Sequence, residues 1–310
     1  MAAQSAAISP GAGARRRLRF KKDWLIAYLF LCPLFIGFIV FTAGPFIASL
    51  VLSFTSWDLL GDPKWVGTEN YLRIFTKDPR FTKTLFNTAY YVLFAVPGAN
   101  IIAFCLALLL NQKLRGISIY RTIFYLPTVT SGVATAVLWM WIFNSNYGLV
   151  NTMLAEIGIQ GPKWLYSTEW SMPALIIMSF WSIGSPMIIY LAGLQGVPQH
   201  LLEACEIDGG NWWTKLTNVT IPMITPSIFY NVVMAIIGSF QVFTAAFVIT
   251  NGGPAESTLF YVLYLYWQAF RDLNMGYASG LAWILFLIIM FFTVLQFTLA
   301  KRWVYYAGSR

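Results

Sequence analysis

Marking every Asp, Glu, Lys and Arg leaves six long uncharged stretches, at 24–57, 84–112, 122–155, 170–202, 216–255 and 273–300. Each exceeds the roughly 20 apolar residues that carry a helix across the hydrocarbon core of a bilayer. A water-soluble domain has no reason to avoid charge so often at such lengths; a lipid-facing helix does. The pattern predicts six spanning helices near 26–53, 85–110, 120–143, 172–195, 224–248 and 279–300. Prolines and glycines fall inside several of them (Pro33, Gly44-Pro45, Pro97-Gly98, Gly184, Pro186). Membrane helices tolerate these because neighbouring helices satisfy the freed backbone groups. The expected fold is an all-α integral membrane protein.

A basic stretch from Arg15 to Lys22 precedes the first apolar run, which is also the outline of a secretion signal. The run far exceeds the roughly 7–15 residues of a signal core, and no small-residue cleavage site follows it. It is read as the first span. The chain divides into a basic tail at 1–23, a first span with its external loop at 24–83, and a five-span core at 84–305.

Composition agrees. Of 310 residues only 10% are charged, against about a quarter in soluble domains, and mean hydropathy is +0.65. The net charge of +8 sits in the tail and in loops, where an anionic membrane surface is its natural partner; a nucleic-acid groove needs basic residues gathered on one face. Cys32, Cys105 and Cys205 have no short paired spacing, and His200 is the lone histidine, so neither a disulfide framework nor a metal site is expected. Placing both termini in the cytoplasm puts 13 Lys and Arg on inner segments and 7 on outer ones, five of them in the first outer loop. That bias favours both ends inside. Trp57, Trp65, Trp164, Trp170 and Trp267 then flank the outer loops, where headgroup anchoring accounts for them.

One cytoplasmic connection is too long and too ordered to be a plain link. Residues 197–222 hold Pro198 at a helix start, two helical turns over 199–207, and Gly209-Gly210 as a stop and sharp turn. A second short helix is expected from Asn211 to about Thr217, before Pro222 and Pro226 lead into span 5. Glu203, Glu206 and Asp208 stand beside Leu201, Leu202 and Ile207. A helix lying flat on the membrane favours a basic polar face; an acidic face with apolar neighbours suits a protein partner better.

Glu203-Ala204-Cys205, then Gly209, then Val219-Thr220-Ile221-Pro222 resembles the EAA loop of binding-protein-dependent ABC permeases, with matching spacing and with Asp208 before the Gly. Cys205, Gly210, Val219 and Ile221 depart from the family pattern by small-for-small and aliphatic-for-aliphatic changes. From about 25 to 300 further segments resemble the carbohydrate-uptake branch: Trp65-Val-Gly-Thr-Glu-Asn-Tyr71, Asp78-Pro79, Asn87-Thr88, Tyr125-Leu-Pro127, Ile189-Tyr-Leu-Ala-Gly-Leu-Gln195, Phe240-Gln-Val-Phe243, Asn251-Gly-Gly-Pro254 and Met275-Gly-Tyr-Ala-Ser279. The resemblance is to the first permease of the maltose, multiple-sugar and glycerol-phosphate type. It implies a type I importer permease in a plasma membrane that moves a sugar, oligosaccharide or polyol. It implies three partners: a second permease, a cytoplasmic ABC ATPase dimer and an extracytoplasmic solute-binding protein. The residues implied to couple to the ATPase are Glu203, Ala204, Asp208, Gly209, Ile221 and Pro222. ATP and Mg would be held by the ATPase. In this chain the dipeptide Gly-Lys is absent, so there is no P-loop, and no catalytic constellation is expected.

A path for solute is expected between spans of the two permeases, and the polar or aromatic mid-span residues here are Asn231, Ser239, Gln241, Trp181 and Ser185. Span 5 would present 231, 235, 238 and 242 on one face. For each polar group a helix–helix hydrogen bond is the plainer role. Two other classes stay open at this level: a permease for amino acids or peptides, and an ion-coupled secondary transporter. The second normally carries ionisable groups inside its spans, and the six predicted spans hold none except Arg121, at the cytoplasmic start of the third.

Overall fold

The computed structural model describes residues 12–112 and 114–305. The start of the basic tail, Lys113 and Arg310 lie outside the described residues.

Helix α1 (Ala12–Phe38) passes through a π-turn at Ile39–Ala43 into α2 (Gly44–Leu52), and together they make the first span. No residue from Trp24 to Leu52 is buried. The external loop that follows is closed by two short strands, β1 (Thr55–Ser56) antiparallel to β2 (Lys64–Trp65), and by α3 (Glu69–Thr76). Asn70 is buried there and donates to the carbonyls of Ser53 and Thr55, fastening α3 to the strand.

Helix α4 (Pro79–Leu110) is the second span and begins six residues before the expected 85, inside the segment assigned to the first loop. Its start is set chemically: Asp78 Oδ1 accepts from the amides of Arg80 and Phe81, and Pro79 occupies the first turn, where its missing N–H is not needed. The sixth span, α15 (Met275–Trp303), is likewise uninterrupted.

The other three spans are broken, each into two helices. Span 3 is α5 (Ile117–Val129) and α6 (Gly132–Ile142), bent by 100°. Thr130 and Ser131 adopt extended backbone, and the Ser131 hydroxyl caps α6 by accepting from the Ala134 amide. Pro127, which cannot donate, lies one turn upstream of that break. An external helix, α7 (Leu149–Glu156), precedes span 4, which is α8 (Ser171–Ser179) and α9 (Gly184–Gln195) joined at 49° through a 3₁₀ turn at Phe180–Ser182. The cytoplasmic connection holds α10 (Gln199–Ile207) and α11 (Trp212–Lys215). The second piece does not stop near Thr217 but runs through a π-turn into α12 (Ile221–Met223), with Pro222 inside it. A 66° bend then leads to α13 (Thr225–Phe240). Span 5 is therefore helical only to Phe240; residues 241–243 leave the helix, so position 242 does not share the face of 231, 235 and 238.

After a π-turn at Ala246–Thr250 the chain makes a hairpin into α14 (Tyr261–Tyr266). Charge and Gly-Pro content read this region as an external loop, yet Leu259, Phe260, Tyr261 and Leu263 have no exposed surface. They form the main apolar core with Phe81 and Tyr91 of α4 and Leu281 of α15. A second core lies where α4, α9 and α13 meet. Ala103 and Ala107, both fully buried, let Met187 and Tyr190 of α9 lie close against α4, as small residues do between membrane helices. The Tyr190 hydroxyl donates to Asn100 Oδ1 at 2.7 Å within that contact.

Candidate functional site

The cytoplasmic elbow forms because each of its local signals agrees. Pro198 is extended at the head of α10, and Gly209 takes φ +82°, a left-handed conformation that an L side chain rarely adopts. The Gly210 amide donates to the Cys205 carbonyl, and a Cβ at Gly210 would lie 2.5 Å from Cys205 Sγ, so the turn requires a glycine there as well. Asn211 Oδ1 caps α11 by accepting from the Thr214 amide at 2.9 Å. Lys215 pairs with Glu206 across the elbow and closes it.

The outward surface is what these restraints leave over. Glu203, Ala204, Asp208 and Gly209 are exposed, and Ile207 is 86% exposed. Neither Glu203 nor Asp208 forms an ion pair among the described residues. Ile221 and Pro222 are half-buried at the foot of span 5. The result is an acidic and apolar surface on a two-helix corner whose Lys215, Glu206 and Asn211 side chains are already bonded within it.

Deeper in the bundle the breaks of spans 3 and 4 come together, with the far end of α13 beside them. A Cβ at Gly184, the first residue of α9, would lie 2.4 Å from Thr128 Oγ1 and 2.8 Å from the Phe124 carbonyl, so α9 begins directly against the end of α5. Gly132 at the start of α6 faces Thr244, just past the end of α13. Trp139 of α6 meets Trp181 edge to face at 5.9 Å. Helices interrupted at membrane depth leave backbone and side-chain groups with no helical partner, which is tolerated only where they line a cavity or are buried in protein. Thr128 Oγ1 and Trp139 Nε1 are buried here without a hydrogen-bond partner. Sequence reasoning named neither; the nearby Tyr125-Leu-Pro127 was their signal.

The five mid-span residues divide around this junction. Trp181 and Ser185 are exposed on span 4 beside the break, and Gln241 is exposed at the end of α13, its side chain donating back to the Ile237 carbonyl. Ser239 is half-buried. Asn231 is set apart: it is 4% exposed and donates to the Pro186 carbonyl at 3.2 Å, tying α13 to α9. Ten residues separate it from Gln241, about 15 Å along a helix.

On the external side, motif residues that carried no assigned role hold the hairpin after span 5. Asn87 donates to the carbonyls of Glu256 and Leu259 at 2.9 and 3.1 Å, and Thr88 Oγ1 accepts from the Tyr261 amide at 3.0 Å. Arg80 pairs with Glu256 at 2.8 Å and Lys83 donates to the Ala255 carbonyl at 2.7 Å. Ala255 and Glu256 both have left-handed backbone, unfavourable for residues with a Cβ, and α4 restrains them.

Residues 99–305 match the family described as binding-protein-dependent transport system inner membrane component. Over 304 residues the chain is 42% identical to the probable ABC transporter permease protein YesP of Bacillus subtilis (strain 168), spanning 96% of this chain and 98% of that one. It is 36% identical over 283 residues to the lactose transport system permease protein LacF of Rhizobium radiobacter, spanning 89% and 94%. A chain of a bacterial ABC transporter involved in the import of the acidic polysaccharide alginate has the same fold, with a TM-score of 0.81 at 24% identity over 93% of this chain and 99% of that one.

Proposed function

Since the chain belongs to the family of binding-protein-dependent transport system inner membrane components, we propose that it forms one side of the path by which a sugar or oligosaccharide enters through an ATP-driven importer. It is a transport component of the inner membrane rather than an enzyme. Its work is to change shape, and the energy must come from a ligand or partner that contacts two of its states differently.

The observation that carries the reading is the meeting of the breaks of spans 3 and 4 with the far end of α13, with Trp139, Trp181, Ser185 and Gln241 around it, in a bundle whose cytoplasmic elbow is outward-facing and acidic. Aromatic faces and neutral hydrogen-bonding groups suit a polyhydroxylated solute, and charge is not called for. The kinship with the lactose permease protein supports a carbohydrate cargo. The path lies between this chain and a second permease. An ABC ATPase dimer, holding ATP and Mg, grips the elbow through Glu203, Ala204, Asp208 and Gly209, with Ile221 and Pro222 passing its movement into span 5. A solute-binding protein delivers the cargo on the opposite side.

Reconstituting the full complex in liposomes loaded with ATP, with its binding protein and a panel of labelled sugars outside, tests this. ATP-dependent uptake of a labelled carbohydrate is expected, with none from this chain alone. Accumulation by this chain without the ATPase, driven by an ion gradient, would overturn the reading.

A further inference from the structure

The connection between α4 and α5 is rich in positive charge. From Pro79 to Ala155 the chain has no Asp or Glu, and Lys113, Arg115 and Arg121 lie in the middle of that stretch. Among the described residues neither Arg115 nor Arg121 forms an ion pair. Arg121 donates from Nη2 to the Leu110 carbonyl at 2.9 Å, closing the end of α4, while its Nε is buried with no acceptor. Arg115 is exposed.

Beside these cations a cleft of about 520 Å³ opens between the end of α4 and the start of α5. Leu106 and Leu109 line one wall and Ile117 and Phe124 the other, with Arg115 and Tyr120 also lining it. Positions 117, 120 and 124 share one face of α5, so the cleft runs along the helix rather than across it. Its walls are the terminal turns of two membrane-spanning helices, at the depth where hydrocarbon gives way to headgroups. A site that is aliphatic and aromatic along its length and cationic at one end matches an amphiphile with an anionic head. None of the elbow's acidic residues lines this cleft, and a protein partner has no need of a greasy slot below a cation.

We propose that this cleft holds an anionic phospholipid, its phosphate against Arg115, which lines the cleft, and an acyl chain between the walls. Arg115 supplies the exposed, adjustable contact; Arg121, bonded to the Leu110 carbonyl, adds positive charge near the cleft without lining it. The lipid would brace the short connection between spans 2 and 3 from the cytoplasmic leaflet.

Native mass spectrometry of the full-length chain, released from nanodiscs of equal phosphatidylglycerol and phosphatidylcholine, tests the proposal. Phosphatidylglycerol should be retained in preference. Arg115→Gln should lower that retention about fivefold, the factor corresponding to about 1 kcal/mol per surface cation, and Arg115→Gln with Arg121→Gln should lower it further. Arg302→Gln, a cation at the far end of α15, should leave it unchanged. Equal retention of the two lipids, or no loss in Arg115→Gln, would overturn the proposal, and Arg115→Gln decides alone if the double variant does not fold. Displacement of the lipid by millimolar inorganic phosphate would mark a free-phosphate site instead. Its loss on assembly with the second permease and ATPase would mark a protein interface; either result sinks the lipid assignment.

Discussion

Tyr264 donates its hydroxyl to Asp78 Oδ2 at 2.6 Å, joining α14 to the head of α4 across 186 residues of chain. The hydroxyl of Tyr277 reaches the same oxygen from α15, while Oδ1 of Asp78 caps α4. One half-buried carboxylate thus binds three helices together on the external side. Hydrogen bonds to a charged group contribute about 1.5–3 kcal/mol each, and a lost N-cap costs about 1. Asp78→Ala should destabilise the chain by about 2–4 kcal/mol, read as a lowered thermal-unfolding midpoint of the full chain in detergent. Asp78→Asn, which keeps the cap, should fall between. An unchanged midpoint for Asp78→Ala would show the three-helix tie to be idle.

Glu203 and Glu206 sit one helical turn apart on α10 and should behave differently. Glu206 is occupied by Lys215, whereas Glu203 has no ion-pair partner among the described residues. Glu203→Arg should reduce recovery of the ATPase with the permease by at least about tenfold, the scale of reversing one charge in a protein interface. Glu206→Gln removes an ion pair whose carboxylate is largely exposed and should change recovery by no more than about threefold. Equal effects would place the docking contact elsewhere.

Gly184 and Gly238 make a contrasting pair. A Cβ at Gly184 runs into Thr128 and Phe124, while one at Gly238 meets nothing within 4 Å. Gly184→Ala should force α9 away from α5 at a cost of about 1–3 kcal/mol. Gly238→Ala should be neutral or mildly stabilising, because alanine gives up less backbone freedom in a helix. Thermal unfolding of both variants checks the difference.

Around the broken spans, Trp181→Ala and Gln241→Ala should lower carbohydrate uptake while membrane abundance stays at the parental level. Asn231→Ala should act the other way round, lowering abundance because it removes the buried bond that ties α13 to α9 at Pro186. Quantitative immunoblots beside uptake rates separate the two effects, and normal uptake in both Trp181→Ala and Gln241→Ala would remove them from the path.

Charge avoidance made the spans legible, because a lipid-facing helix leaves a strong one-dimensional signal. The elbow was legible for a different reason: Pro198, Gly209 and Asn211 each fix a local backbone state without help from afar. The breaks were not, since Pro127 or Pro186 can sit in a straight membrane helix and only packing, such as Gly184 on Thr128, decides where a span bends. Least legible was the hairpin ahead of α14. Its Gly, Pro and Glu read as solvent-facing, and its burial depends on Asn87 and Thr88, about 170 residues earlier, satisfying its backbone.

Among the described residues, the first span's aromatic and side-chain hydrogen-bond contacts with the rest of the chain lie near its outer end, where Phe46 packs at a tilt against Trp283 and Trp283 donates to Ser49. Both apolar cores are complete without it. It is therefore a detachable piece: a chain begun at Ser53 would still close its interior. Lengthening, trimming or exchanging that helix is a change evolution can make at little cost to folding, leaving its consequences to whatever it lies against in the bilayer.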